Sequence, residues 1–259
     1  MTSPRIGFVI GGVQKCGTSA LASYLREHPK LALPLHKEAH VFDSADFDER
    51  WSPDDIDQRY AGKLPQIGAD TLCGDATPIY IFHPTLIQRI ARYNPAMRWI
   101  ILLRDPAQRA LSHYHMERAR GVERWPFWLA LLLERRRLRG HQSDFSKRSP
   151  LRHFSYLTRG DYAQQLDALY QHFAPEQVLV LRTVDLEREP DITLKRVYAF
   201  LGVPVPDALP EPRQVFAGDY RRWARHSLPS RLLGRLFSAQ LRSLRERHGI
   251  ALDQESPPG

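Results

Sequence analysis

The run Gly11-Gly12-Val13-Gln14-Lys15-Cys16-Gly17-Thr18-Ser19-Ala20-Leu21 restricts what this chain can fold into more than any other stretch. It follows an apolar run, Ile6-Gly7-Phe8-Val9-Ile10, and opens an amphipathic segment that stops near Pro29. That order predicts a strand, a tight loop and a helix. Such a loop aims backbone N–H groups and a helix N-terminus at one point, and that point favours an anion. Lys15 adds positive charge, and Thr18 and Ser19 add hydroxyl donors.

The loop departs from the nucleoside-triphosphate pattern G-x-x-x-x-G-K-[ST] at one place. Gly12 and Gly17 keep its spacing, but Thr18 stands where the lysine that reaches the terminal phosphates belongs. The positive charge lies three positions earlier, at Lys15. A loop so built is poorly suited to ATP or GTP hydrolysis and suits a shorter anion carried on a nucleotide.

Helical and strand-like segments alternate along the 259 residues. The expectation is an α/β fold, three-layered, with a mainly parallel central sheet flanked by helices and a P-loop-like nucleotide site. No repeat or linker stands out, so residues 1–259 read as a single domain with a disordered tail from about residue 250. Residues Lys30 to Asp70 read as irregular. A helix starts near Pro84, and a buried strand covers Met97 to Leu103. Asp105-Pro106-Ala107-Gln108 is a helix start: an N-cap acid, proline in the first turn and glutamine three positions on. Further helices are expected around Trp128 to Leu138, Asp161 to Phe173, Pro190 to Leu201 and Arg231 to Arg247, with a strand at Val178 to Leu181.

A net charge of +8 and a sequence pI near 9.7 call for anionic partners without choosing among them. The basic C-terminal helix comes with no stacking motif or nucleic-acid fold, so nucleic acid is not expected. The two cysteines, one inside the loop, suit a reducing compartment. The first apolar stretch is too short for a signal or a membrane span. The reading is a soluble cytoplasmic protein; Arg135-Arg136-Arg137 reads as a solvated helix end, with a peripheral contact with an acidic membrane as the alternative. His36 and His40 stand four apart, but Glu38 is misplaced for a zinc helix and Pro34 is close, so no metal is expected.

Two separated motifs then meet: the glycine loop and Leu102-Leu103-Arg104-Asp105-Pro106-Ala107-Gln108-Arg109-Ala110-Leu111-Ser112-His113-Tyr114. Together they resemble the sulfotransferases that use 3′-phosphoadenosine 5′-phosphosulfate (PAPS), and among these the carbohydrate, heparan-sulfate type branch. Lys37-Glu38-Ala39-His40-Val41-Phe42-Asp43 is similar to that branch's E-x-H-F-F-D segment. Gly74-Asp75-Ala76-Thr77-Pro78-Ile79-Tyr80 is similar to its E-K-T-P-x-Y segment. The likeness runs over roughly residues 5 to 205.

The resemblance implies that Gln14, Lys15, Cys16, Gly17, Thr18 and Ser19 hold the 5′-phosphosulfate, and that Arg104 and Ser112 hold the 3′-phosphate. It implies PAPS as co-substrate, Lys15 as the catalytic cation and Glu38 as the base, with His40 as the alternative base. Arg104 also stands on its own chemistry: a guanidinium fork at a strand's carboxyl end, the rim where ligands bind in open α/β sheets. Alternatives for these residues are a solvated Lys15, an Arg104–Asp105 ion pair, a plain surface serine at 112 and a Glu38–Lys37 pair.

The branch's lysine in E-K-T-P is replaced by Ala76. Another cation substitutes, or Lys15 works alone, or the acceptor differs. Asp75, Thr77 and Tyr80 are expected on the acceptor side, and Arg221 and Arg222 near the cofactor phosphates. The expected activity is sulfuryl transfer to an acceptor hydroxyl, foremost on a glycan. The alternatives are a non-sugar alcohol or phenol as acceptor, a P-loop kinase or NTPase, and a non-catalytic basic binding protein.

Overall fold

The computed structural model describes residues 5–36, 38–68, 70–211 and 228–252. In chain order the elements are β1 (Ile6–Gly12), α1 (Thr18–Leu25), β2 (Leu31–Ala32), α2 (Pro53–Ala61), β3 (Leu72–Asp75), α3 (Pro84–Tyr93), β4 (Arg98–Leu103), α4 (Pro106–Ala119), α5 (Phe127–Leu138), α6 (Pro150–His153), α7 (Tyr162–Tyr170), β5 (Val178–Arg182), α8 (Thr183–Arg188), α9 (Pro190–Leu201), α10 (Leu228–Leu236) and α11 (Ser238–His248). Contacts divide the chain into two compact units, one drawn from Met1–Leu103 and Asp167–Phe216, the other from Arg104–Leu166 and Ala217–Gly259.

The first unit holds a five-stranded sheet in the order β2-β3-β1-β4-β5, with helices flanking it. Every pairing is parallel, and Val9 stands opposite Asp75 on one side and Trp99 on the other. Parallel strands are covered on both faces and so are apolar throughout. Phe8, Val9, Ile10 and the run Trp99 to Leu103 have no exposed surface. The expectation of a parallel α/β sheet with a glycine loop after an early strand is met, and β1 proves to be the central strand.

Local signals place several helix ends. Asp105 accepts the Gln108 N–H at 2.7 Å, so α4 starts where its cap and proline predict. Gly202 adopts φ 69° and ends α9 in the left-handed conformation.

Three expectations need correction. The stretch Lys30 to Asp70 is not irregular throughout: it contains the short β2 and the helix α2, the latter opened by a reciprocal capping box between Ser52 and Asp55. The first helix ends at Leu25 rather than near Pro29. The basic C-terminal helix is two helices, broken at Phe237. Phe237 is fully buried in the second unit's core with Leu111, Phe127, Ala130 and Leu233, and a Cβ on Gly160 would collide with its ring. Arg221, Arg222 and residues 253–259 of the tail lie outside the described residues.

Candidate active site

The glycine loop leaves the carboxyl end of the central strand. Its start is pinned by the Val13 N–H donating to the Leu102 carbonyl at 3.0 Å, and its turn closes with the Cys16 N–H on the Val13 carbonyl at 3.1 Å. Lys15 and Gly17 have φ of 72° and 90°, so the chain passes through the left-handed region twice before entering α1. A Cβ at Gly17 would meet only ordinary contacts, the nearest 3.5 Å away on Thr183, so what demands glycine there is the backbone angle. Gly12 is required for a different reason: a Cβ there would collide with Ile81.

Gly17 is the N-cap of α1, and no side chain caps the helix. The first helical bond runs from the Leu21 N–H to the Gly17 carbonyl at 3.1 Å. The N–H groups of Thr18, Ser19 and Ala20 therefore have no partner within the helix. No acidic residue lies in the first turn. The Gln14 side-chain oxygen is buried without a hydrogen-bond partner among the described residues. Uncapped amides, a nearby lysine and an unmet buried amide fit a nucleotide-borne anion. Cys16 and Cys73 are both buried free thiols.

One contributor to this loop was not foreseen. The Thr183 hydroxyl lies 2.8 Å from the Cys16 carbonyl and 3.0 Å from that of Leu103. It ties the glycine loop to the end of β4. Its signal was its place, the first residue after a parallel strand paired with β4. Leu103 is followed directly in the chain by Arg104, which opens the second unit. In that unit the Arg104 backbone carbonyl accepts the Tyr162 hydroxyl at 2.9 Å, which fixes the corner before α4. Ser112 is only 5% exposed, so it is not a plain surface serine.

The second constellation lies on the turn after β2. His40 stands between two carboxylates: Nε2 is 3.1 Å from Glu38 Oε2 and Nδ1 is 2.8 Å from Asp43 Oδ2. Burial opposes the imidazolium, but hydrogen bonds and charge from Asp43 and Glu38 outweigh it and raise the His40 pKa to about 9. The ring is then doubly protonated at neutral pH and donates from both nitrogens. The carboxylates sit on opposite edges of the ring, and among the described residues no group of His, Cys, Asp or Glu is arranged to hold a metal ion. His40 has φ 51°, the left-handed bend that turns its ring between its neighbours. Lys37, the alternative partner of Glu38, lies outside the described residues.

Asp75 holds this turn in place. Its Oδ1 accepts the Ala39 N–H at 3.3 Å and the Thr77 hydroxyl at 2.8 Å. Its Oδ2 accepts Tyr60 at 2.8 Å and Tyr80 at 2.7 Å. The Tyr80 oxygen in turn accepts the Val41 N–H at 3.2 Å. Asp75, Thr77, Tyr80 and Ala76 have no exposed surface. The first three were expected to line the acceptor side; burial assigns them instead to scaffolding, because their polar atoms are spent on one another and on the turn. Desolvation moves the Asp75 pKa upward, against the four hydrogen bonds that favour its charge. Tyr60 comes from α2 and was not foreseen, because that helix was not. The two constellations share a seam: Gly12, which ends β1, packs against Ile81, one residue after Tyr80.

A parallel sheet with a glycine loop after its central strand, leading into a helix whose N-terminus no side chain caps, defines an α/β fold of the P-loop-like kind. The chain belongs to the sulfotransferase family, whose sulfotransferase domain matches residues 6–216. It is 28% identical over 196 residues to the human heparan sulfate glucosamine 3-O-sulfotransferase 3B1, which covers 75% of this chain and 45% of that protein. It is 34% identical over 109 residues to the membrane-associated sulfotransferase kil1 of Dictyostelium discoideum, covering 42% of this chain and 22% of that one. The chain thus spans less than half the length of these curated relatives. Among solved structures, a sulfotransferase from Alicyclobacillus acidocaldarius superposes with a TM-score of 0.75 at 29% identity, covering 94% of this chain and 95% of the other. Among the described residues no helix is long and apolar enough to cross a membrane.

Proposed function

We propose that this protein transfers a sulfuryl group from PAPS to a hydroxyl of a carbohydrate acceptor. The observation that carries the reading is the loop: left-handed Lys15 and Gly17 lead into an uncapped helix, and Thr18 replaces the lysine a nucleoside triphosphate needs. That arrangement supports a compact phosphosulfate over a triphosphate chain.

The bound donor would supply a sulfuryl group on a phosphate leaving group. Lys15 and the Gln14–Ser19 amides neutralise the charge that gathers on its oxygens. Arg104 and Ser112 hold the 3′-phosphate, with Arg104 offering its fork. Glu38 takes the acceptor's hydroxyl proton as the acceptor oxygen bonds to sulfur and the bond from sulfur to phosphate breaks. In this reading His40 is a positioning residue rather than the base, since both its nitrogens are committed to carboxylates. With Ala76 buried and uncharged, Lys15 is the cation assigned to the leaving oxygen. The glycan acceptor rests on the likeness to a heparan sulfate glucosamine 3-O-sulfotransferase.

Calorimetry and transfer assays test the proposal together. 3′,5′-Diphosphoadenosine should bind and ATP with magnesium should bind poorly. Labelled sulfate should pass from PAPS into a saccharide in an acceptor screen. Preferential ATP binding would point to a nucleotide kinase. Transfer only to phenols or simple alcohols would overturn the glycan assignment alone.

A further inference from the structure

We infer that the outer face of α5 seats the second unit on an anionic lipid surface. The inward face of this helix is settled: Phe127, Ala130, Leu131, Glu134 and Leu138 are buried. Its outward stripe runs through Trp128, Leu132, Arg135 and Arg139, residues three or four apart and so on one side of the helix. Trp125, just ahead of the helix, adds to it. Trp125, Trp128 and Leu132 are 50%, 41% and 78% exposed, an unusual load of large apolar side chains for water. The last turn and its end add Arg135, Arg136 and Arg139, all exposed and without an acidic partner among the described residues. The third arginine of that turn, Arg137, is spent elsewhere, on the buried Glu123 and over the Phe154 ring.

The outward stripe carries no negative charge. The one acid of α5, Glu134, turns inward and accepts the N–H groups of Leu157 and Thr158 at 2.6 and 2.8 Å. A second helix of the same unit has the same make-up. α10 exposes Arg231, Leu232, Arg235 and Leu236, has no acid in its sequence, and buries Leu233 in the cluster that holds Ala130 and Leu131. Trp and Leu beside Arg is the composition of a helix lying in a bilayer interface, with apolar side chains among the acyl chains and guanidinium groups on the headgroups. α5, at 12 residues, is about 18 Å long and too short to span a membrane. An acidic polysaccharide would engage the arginines but leave Leu132 in water, which is why lipid is the occupant chosen.

The test uses the full chain and sedimented vesicles. It should pellet with phosphatidylcholine vesicles containing phosphatidylserine, pellet far less with phosphatidylcholine alone, and be released by salt. At about fivefold per arginine, the triple variant Arg135→Gln, Arg136→Gln, Arg139→Gln should lower the partition coefficient roughly a hundredfold. Leu132→Ser should lower it about tenfold. Tryptophan emission should shift to the blue on anionic vesicles, and less so in Trp125→Phe, Trp128→Phe. Far-UV circular dichroism of these surface variants should match the parent. No binding by the parent chain, equal binding by the triple variant, or capture by soluble heparin through the same arginines without vesicle binding would each overturn the inference.

Discussion

His40 Nε2 lies 3.1 Å from Glu38 Oε2 while its other nitrogen is anchored on the buried Asp43. The glutamate is thereby held in one orientation by a ring that is itself held. Glu38→Gln keeps the shape and removes the proton acceptor. Sulfuryl transfer should fall about a hundredfold or more, the usual size of a general-base contribution. Affinity for 3′,5′-diphosphoadenosine should not change. Activity at the parent level would remove Glu38 from the reaction.

The His40 pKa, raised to about 9, sets a pH window. The folded value lies above the ordinary value near 6.5, so the stabilisation is complete below about pH 6.5 and is lost as pH climbs through about 9. Transfer rate and melting temperature should both decline across the upper limb. In His40→Gln that alkaline decline should flatten in the melting profile, with the loss in rate greater in kcat than in KM. An unchanged profile would separate the ring from Glu38.

Lys15→Ala should reduce transfer about a hundredfold or more by removing charge stabilisation. Arg104→Ala should instead weaken 3′,5′-diphosphoadenosine binding in calorimetry while leaving the melting temperature in place. Undiminished affinity would refute the assignment of Arg104.

Thr183→Val retains the side-chain volume but removes the hydroxyl shared by the Cys16 and Leu103 carbonyls. A neutral hydrogen bond contributes about 1 kcal/mol, so stability should drop by that order. Nucleotide affinity should drop about tenfold, because the loop loses its tie to β4. A stability loss with intact affinity would make the contact purely structural.

Asp75→Ala leaves the Ala39 amide, Tyr60, Tyr80 and Thr77 without their shared acceptor. Unpaired buried groups cost about 1–3 kcal/mol each, less what relaxation recovers, so a loss of roughly 3 kcal/mol is expected in denaturant titration. Tyr60→Phe, which removes one donor, should cost about 1 kcal/mol.

What could be read in the sequence was local. Gly17, the Asp105 cap and the Gly202 stop act within a few residues of themselves, so their signals survive without knowledge of the fold. Glu38 and His40 were legible as a motif, but the bend at His40 that joins them was not, because a left-handed histidine leaves no trace in composition. The capping box at Ser52 was hidden in a charged stretch and uses Asp55 in place of the commoner Glu or Gln. With α2 unread, Tyr60 had no address. At the break between α10 and α11, the Phe237 ring packs on Gly160, far away in sequence. Thr183 acts across 167 residues on Cys16, and only the strand order makes them neighbours.

The strand order has one more consequence. The glycine loop hangs from β1 and is braced from β4 and β5, whereas the Glu38 turn hangs from the β2–β3 margin through Asp75. Apart from the Gly12–Ile81 seam, each is anchored by its own strands. In the proposed reading, the margin can therefore change with the acceptor alcohol while the glycine loop stays untouched.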